Sequence, residues 1–151
     1  MLINLVESLR ALKRDDDAAE VGRYALTLCP DHTQDLHRVW LAADAVCEGK
    51  MEVAQGLLDV ISQESLNNPA AFVADVVAAL VEMAGAPAER TEQAFRAAQD
   101  RLRRARKRFP LSRHGPARRR FYRRCVRWIA ERRGGVAARI WAELERYGLM
   151  S

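Results

Sequence analysis

Prolines at positions 30, 69 and 110 lie 39 and 41 residues apart. Between them, apolar residues recur every three to four positions, the period of a helix with one buried face. Proline lacks an N–H and its ring clashes with the preceding turn, so each of these positions interrupts such a helix. Leu2, Leu5, Leu9 and Leu12 make a first stripe, broken by the charged run from Lys13 to Asp17. Asp15 or Asp16 can cap a second helix by accepting a backbone N–H, and Ala18, Val21, Ala25 and Leu28 then lead to Pro30.

The same punctuation continues along the chain. Thr33 or Asp35 opens a helix with Leu36, Val39, Trp40, Ala43 and Cys47 inward, and Gly49 and Lys50 make the turn. A return helix presents Val53, Ala54, Leu57, Leu58 and Ile61 and is closed by Asn67-Asn68-Pro69. A third pair starts at Ala70 with Phe72, Val73, Val76, Val77, Leu80 and Met83, and turns through Gly85-Ala86-Pro87. Its return helix, from about Glu89 to Arg108, spans roughly 30 Å at 1.5 Å per residue. Phe95, Ala98, Leu102, Ala105 and Phe109 form its seam. A fourth pair carries Phe121, Tyr122, Cys125, Trp128 and Ile129, turns at Gly134-Gly135, and ends with Val136, Ile140, Trp141, Leu144 and Tyr147. No segment alternates apolar and polar residues for long enough to make a strand.

The expected fold is therefore all-α, one domain over 1–151 with hairpins at about 1–30, 33–68, 70–109 and 116–149. Two-helix units recurring at this interval belong to helical solenoids. In the first unit Ala18, Ala25 and Pro30 sit at the spacing of second-helix alanines and a closing proline; in the second, Gly49 and Ala54 fit a turn glycine and a first alanine. In these residues the chain resembles the tetratricopeptide repeat family, most closely over 1–69. The first-helix Trp, Leu-Gly and Tyr positions of that family are mostly not met, and the units exceed its roughly 34 residues. The resemblance implies a right-handed α-solenoid whose first helices line a concave, partner-binding surface. The alternative is an irregular compact α-bundle.

Charge is distributed very unevenly. Residues 1–100 carry 8 Lys/Arg against 17 Asp/Glu, whereas residues 101–139 carry 16 Lys/Arg against the single Glu131. A like-charged cluster of that density repels itself until something anionic neutralises it. Three anions are available: the acidic first two-thirds of the chain or of another copy, an acidic protein segment gripped by bidentate arginines, and the phosphates of nucleic acid. Arg120, Arg123, Arg124 and Arg127, at i, i+3, i+4 and i+7, share one helix face. Phe121, Tyr122 and Trp128 among them could stack bases, but their helical spacing reads first as core.

Other constellations point to structure. Cys29, His32 and His37 give C-x2-H-x4-H, with Cys47 the nearest candidate for a fourth zinc ligand, and read as a buried thiol and polar loop residues. Asp15-Asp16-Asp17 suits a helix start, where negative charge meets the positive end of the dipole. Phosphate-loop, nucleophile-elbow and zinc-protease motifs are missing. The opening MLINLVESLR has no basic leader, and the most apolar segment, from Ala70 to Gly85, is broken by Asp75 and Glu82. Three widely spaced cysteines suit a reducing compartment.

The sequence reading is thus a cytoplasmic, non-enzymatic interaction scaffold, with no catalytic, cofactor or metal residue assigned and no membrane partner. It binds an acidic or extended protein segment through Arg104, Arg108, Arg113, Arg119, Arg120, Arg123, Arg124 and Arg127. Self-association of its acidic and basic ends is a further expectation. Nucleic-acid binding or nucleoprotein assembly through the same arginines is the alternative.

Overall fold

A computed structural model describes residues 2–28, 31–108, 119, 120, 122–124, 127, 131 and 135–146. All regular structure among them is helical: α1 (Leu2–Ala11), α2 (Asp15–Leu28), α3 (Asp35–Cys47), α4 (Met51–Asp59), α5 (Asn68–Gly85), α6 (Thr91–Arg108) and α7 (Gly135–Arg146). The described residues within 119–131 are helical too. Consecutive helices pack as pairs α1/α2, α3/α4 and α5/α6, and α3 also packs against α2 and α5. No helix among the described residues is long and apolar enough to cross a membrane.

Two turns between paired helices are built alike. After α1, the Lys13 N–H donates to the Arg10 carbonyl and the Arg14 N–H to Leu9. After α3, the Gly49 N–H donates to Val46 and the Lys50 N–H to Ala45. Both are Schellman closures, which need a left-handed residue after the cap. Gly49 takes it at φ 78°, whereas Lys13 takes it at φ 61° with a Cβ in place. Segment 67–69 works in the opposite sense from the sequence expectation. It opens α5: the Asn67 side chain accepts from the Ala70 N–H at 3.0 Å, and Pro69 lies in the first turn, where its missing N–H costs nothing. Helix α4 ends earlier, at Asp59.

One apolar cluster runs from Val6 to Leu144. Helix α3 is its centre, with 12 of 13 residues buried. The expected inward residues of α5 and α6 are buried, among them Phe72, Val76, Leu80, Phe95, Leu102 and Ala105. The α1 stripe is corrected: Leu5 and Leu12 are exposed, and α1 turns Val6, Leu9 and the charged Arg10 inward. Val53 and Leu28 likewise face out. The expected core residues Phe109, Phe121, Cys125, Trp128, Ile129 and Tyr147 lie outside the described residues.

Asp35, buried at the start of α3, ties this helix to the 62–65 segment. Its carboxylate accepts from Arg38 (2.6 Å), the Ser62 N–H (2.9 Å) and the Ser65 hydroxyl (2.6 Å), with His32 at 3.1 Å. Burial alone pushes this carboxyl up, but the hydrogen bonds from Ser65, Ser62, Arg38 and His32 together hold it below its ordinary range.

Two stability effects follow. Lys13→Gly relieves a left-handed side chain worth about 1 kcal/mol, so the thermal midpoint is expected to rise by roughly 2–4 °C. Asp35→Ala removes the acceptor shared by Arg38, the Ser62 N–H and the Ser65 hydroxyl and is expected to cost roughly 3 kcal/mol in urea unfolding at pH 7. Because the folded carboxyl titrates below 3.8, its contribution is complete above that pH and disappears as pH falls through the folded value. The gap between wild type and Asp35→Ala therefore narrows only below pH 3.8.

Candidate functional site

Among the described residues, most of the long-range ion pairs join the basic third of the chain to the acidic remainder. The deepest junction is built on Arg10, which has no exposed surface. Its guanidinium donates to both oxygens of Asp44, at 3.1 and 2.8 Å, and lies 4.6 Å from the Trp40 ring centroid. Asp15, the first residue of α2, stands 3.7 Å from the same guanidinium. Arg120 closes the junction from the other end of the chain: Nη2 donates to Asp15 at 2.7 Å and to the Arg10 carbonyl at 2.8 Å. That carbonyl belongs to the last turn of α1, where cations are favoured by the helix dipole. Arg124 reaches the other Asp15 oxygen at 3.3 Å.

Burial pushes the Asp44 carboxyl up, against the opposing pull of Arg10 and Arg124. It also pushes the Cys47 thiol, one turn further along α3, up to about 12. Two more bridges repeat the theme. Arg101 of α6 donates through Nε and Nη2 to Glu82 of α5 at 2.9 and 2.7 Å. Arg139 of α7 binds both oxygens of Glu92 at 2.6 and 3.1 Å, and its guanidinium lies 4.0 Å from the Phe95 centroid. Arg106 covers Phe72 at 4.7 Å. These arginines do structural work, by charge pairing and by stacking on aromatic faces.

The predicted binding arginines therefore divide. Arg120 and Arg124, both half-buried, meet on Asp15. Arg123 and Arg127, on the neighbouring columns of the same helical stretch, are exposed, and Arg119 is half-buried. Arg104 and Arg108 are exposed on the last two turns of α6, near enough to Asp75 for their charge to oppose the upward push that burial gives its carboxyl. Arg113 lies outside the described residues. Tyr122 is buried in the core; Phe121 and Trp128 are outside the described residues.

Sequence reasoning missed Arg10 and Asp44 altogether and read Asp15 only as a helix start. A signal for the first two existed: each lies on the apolar face of its helix, Arg10 at i+4 from Val6 and Asp44 at i+4 from Trp40. A charge at such a position is buried with a partner or not at all.

The histidines are divided as well. His32 is exposed beside Asp35, whereas His37 is buried, its Nδ1 without a hydrogen-bond partner, and burial holds the imidazole below its usual pKa. A cavity of about 490 Å³, lined by Leu2, Leu36, His37 and Leu66 among others, opens beside it. No group of three or more His, Cys, Asp or Glu side chains among the described residues is placed to hold a metal ion. Cys29 lies outside those residues.

Removing one member of the buried pair leaves the other charged in an apolar site. Arg10→Met is expected to cost roughly 3–5 kcal/mol in urea unfolding, and Arg10→Met/Asp44→Leu to recover most of that loss. A double variant no more stable than the single one would assign Arg10 a packing role through Trp40 instead.

No family model matches the chain, and neither a curated protein nor a solved structure matches it.

Proposed function

We propose that this chain is a non-enzymatic helical-repeat scaffold of tetratricopeptide type, which binds an acidic, extended segment of a partner protein. The observation that carries the reading is the exposed cations of the basic stretch, Arg104 and Lys107 on α6 and Arg123 and Arg127 on the later helical stretch. They are what the surface presents while Arg101, Arg120, Arg124 and Arg139 hold carboxylates of other helices. The stacking of α2 on α3, and of α3 and α4 on α5, is the neighbour order expected for successive helix pairs, while the contact of Arg120 with Asp15 departs from a strictly nearest-neighbour stack.

The chain's own inter-helix pairs show how its arginines bind a carboxylate. Each inter-helix side-chain ion pair described above is arginine on carboxylate, three of them through two donors. An acidic segment in extended form offers the same group at regular intervals. An exposed surface of this kind acts through long-range attraction and weakens as salt rises.

The test compares two fluorescent probes of equal charge, a twelve-residue glutamate-rich peptide and a single-stranded oligonucleotide, by anisotropy in 50–200 mM salt. The peptide is expected to bind, and Arg123→Glu/Arg127→Glu to weaken it at least about tenfold, since each reversal replaces an attraction by a repulsion. An oligonucleotide that binds while the peptide does not, with a salt slope of about −0.7 per phosphate neutralised, would replace this reading with nucleic-acid binding.

A further inference from the structure

Arg120 and Arg124 sit one turn apart on the same helical stretch as Arg123 and Arg127, yet they face inward onto one carboxylate. We propose that Asp15 is an internal occupant of the acidic-segment site, and that a partner carboxylate takes its place between Arg120 and Arg124. The proposal rests on the function argued above and adds its regulation: the outer pair of arginines meets the partner, and the inner pair engages only when Asp15 yields.

The geometry of Asp15 is that of a bound acidic ligand. One oxygen accepts from Arg120 at 2.7 Å and the other from Arg124 at 3.3 Å, with Arg10 at 3.7 Å. The site is covered but not sealed: the Asp15 side chain is 15% exposed, Arg120 23% and Arg124 37%. Residues three and four apart on a helix are surface neighbours, roughly 5–6 Å between Cβ atoms. A carboxylate held by Arg123 is therefore one side-chain step from Arg120, and one held by Arg127 is one step from Arg124.

Asp15 can leave while Arg120 keeps its bond to the Arg10 carbonyl and the α1–α2 turn keeps its backbone bonds. It is the first residue of α2, and the hydrogen bonds that close the α1–α2 turn are backbone bonds of Lys13 and Arg14. Withdrawal is a rotation about its side-chain bonds. Arg10 does not lose its anchor in the process, because Asp44 holds it through two hydrogen bonds. Asp44 is enclosed in α3 and stays put.

A site that is open in only a fraction of molecules loses apparent affinity by that fraction. The test uses the full chain and a fluorescent hexaglutamate peptide, read by anisotropy at 50 mM salt. If Asp15 occupies the site in about nine-tenths of molecules, Asp15→Asn tightens binding roughly tenfold. Asp16→Asn removes the same charge from an exposed neighbour and is expected to stay within about twofold of wild type. Asp15→Ser keeps a helix-starting side chain and is expected to match Asp15→Asn, with an unchanged helical circular dichroism signal. Equal affinities for Asp15→Asn, Asp16→Asn and wild type overturn the masking while leaving the exposed arginine surface in place. Weaker binding by Asp15→Asn overturns it also, by making Asp15 an organiser of the site. Failure of every form to bind hexaglutamate overturns the acidic-segment reading itself, and the masking with it.

Discussion

The structure depends on the junction where Arg10, Arg120 and Arg124 meet Asp15 and Asp44. It joins residues separated by 105 and 109 positions along the chain, so the helical stretch that carries Arg120 and Arg124 is brought back onto the start of α2. A stack in which each pair touches only its neighbours makes no such contact. The junction is also where the charge imbalance of the chain is resolved. An Arg-rich third would repel itself in a compact state, and it is instead distributed over Asp15, Glu82 and Glu92 of the acidic portion.

The choice of arginine matters to this solution. Of the 16 basic residues in 101–139, only Lys107 is lysine. A guanidinium forks onto both oxygens of a carboxylate and lies flat on an aromatic ring, and it stays charged when partly dehydrated. Arg139 does both at once, on Glu92 and Phe95, and Arg10 does so on Asp44 and Trp40. Lysine in these places would supply charge without the plane. The same side chain can thus serve as a lid on the core and as an anion receptor, and the two uses are sorted by which way the helix face points.

The helical class was legible because the 3.6-residue period and the helix breakers agree along nearly the whole chain. Phe72 to Met83, and Phe95 to Ala105, are buried as their spacing indicates. Boundaries were harder wherever one residue serves two roles. Pro69 ends a helix or begins one with equal chemical sense, and only the Asn67 cap decides it. The face of α1 was misassigned because Leu5 and Leu12 are as apolar as Leu9, and nothing local marks them as exposed. The charged run at 101–139 was visible as a feature, but the division of Arg120 and Arg124 from Arg123 and Arg127 is set by a contact more than a hundred residues away. Periodicity carries no information about such a contact, and Arg10 and Asp44 only hint at it by standing on apolar faces.

Cys47 shares the environment of this junction, on the last turn of α3. Only the thiolate attacks an alkylating reagent. With burial pushing the thiol up to about 12, little thiolate forms near neutral pH. Cys47 is accordingly silent toward oxidants and electrophiles while the helices stay closed, and it regains ordinary reactivity when they part. Nature has left a built-in clock at the seam: the rate at which iodoacetamide modifies Cys47 measures how often the interior around α3 opens to solvent.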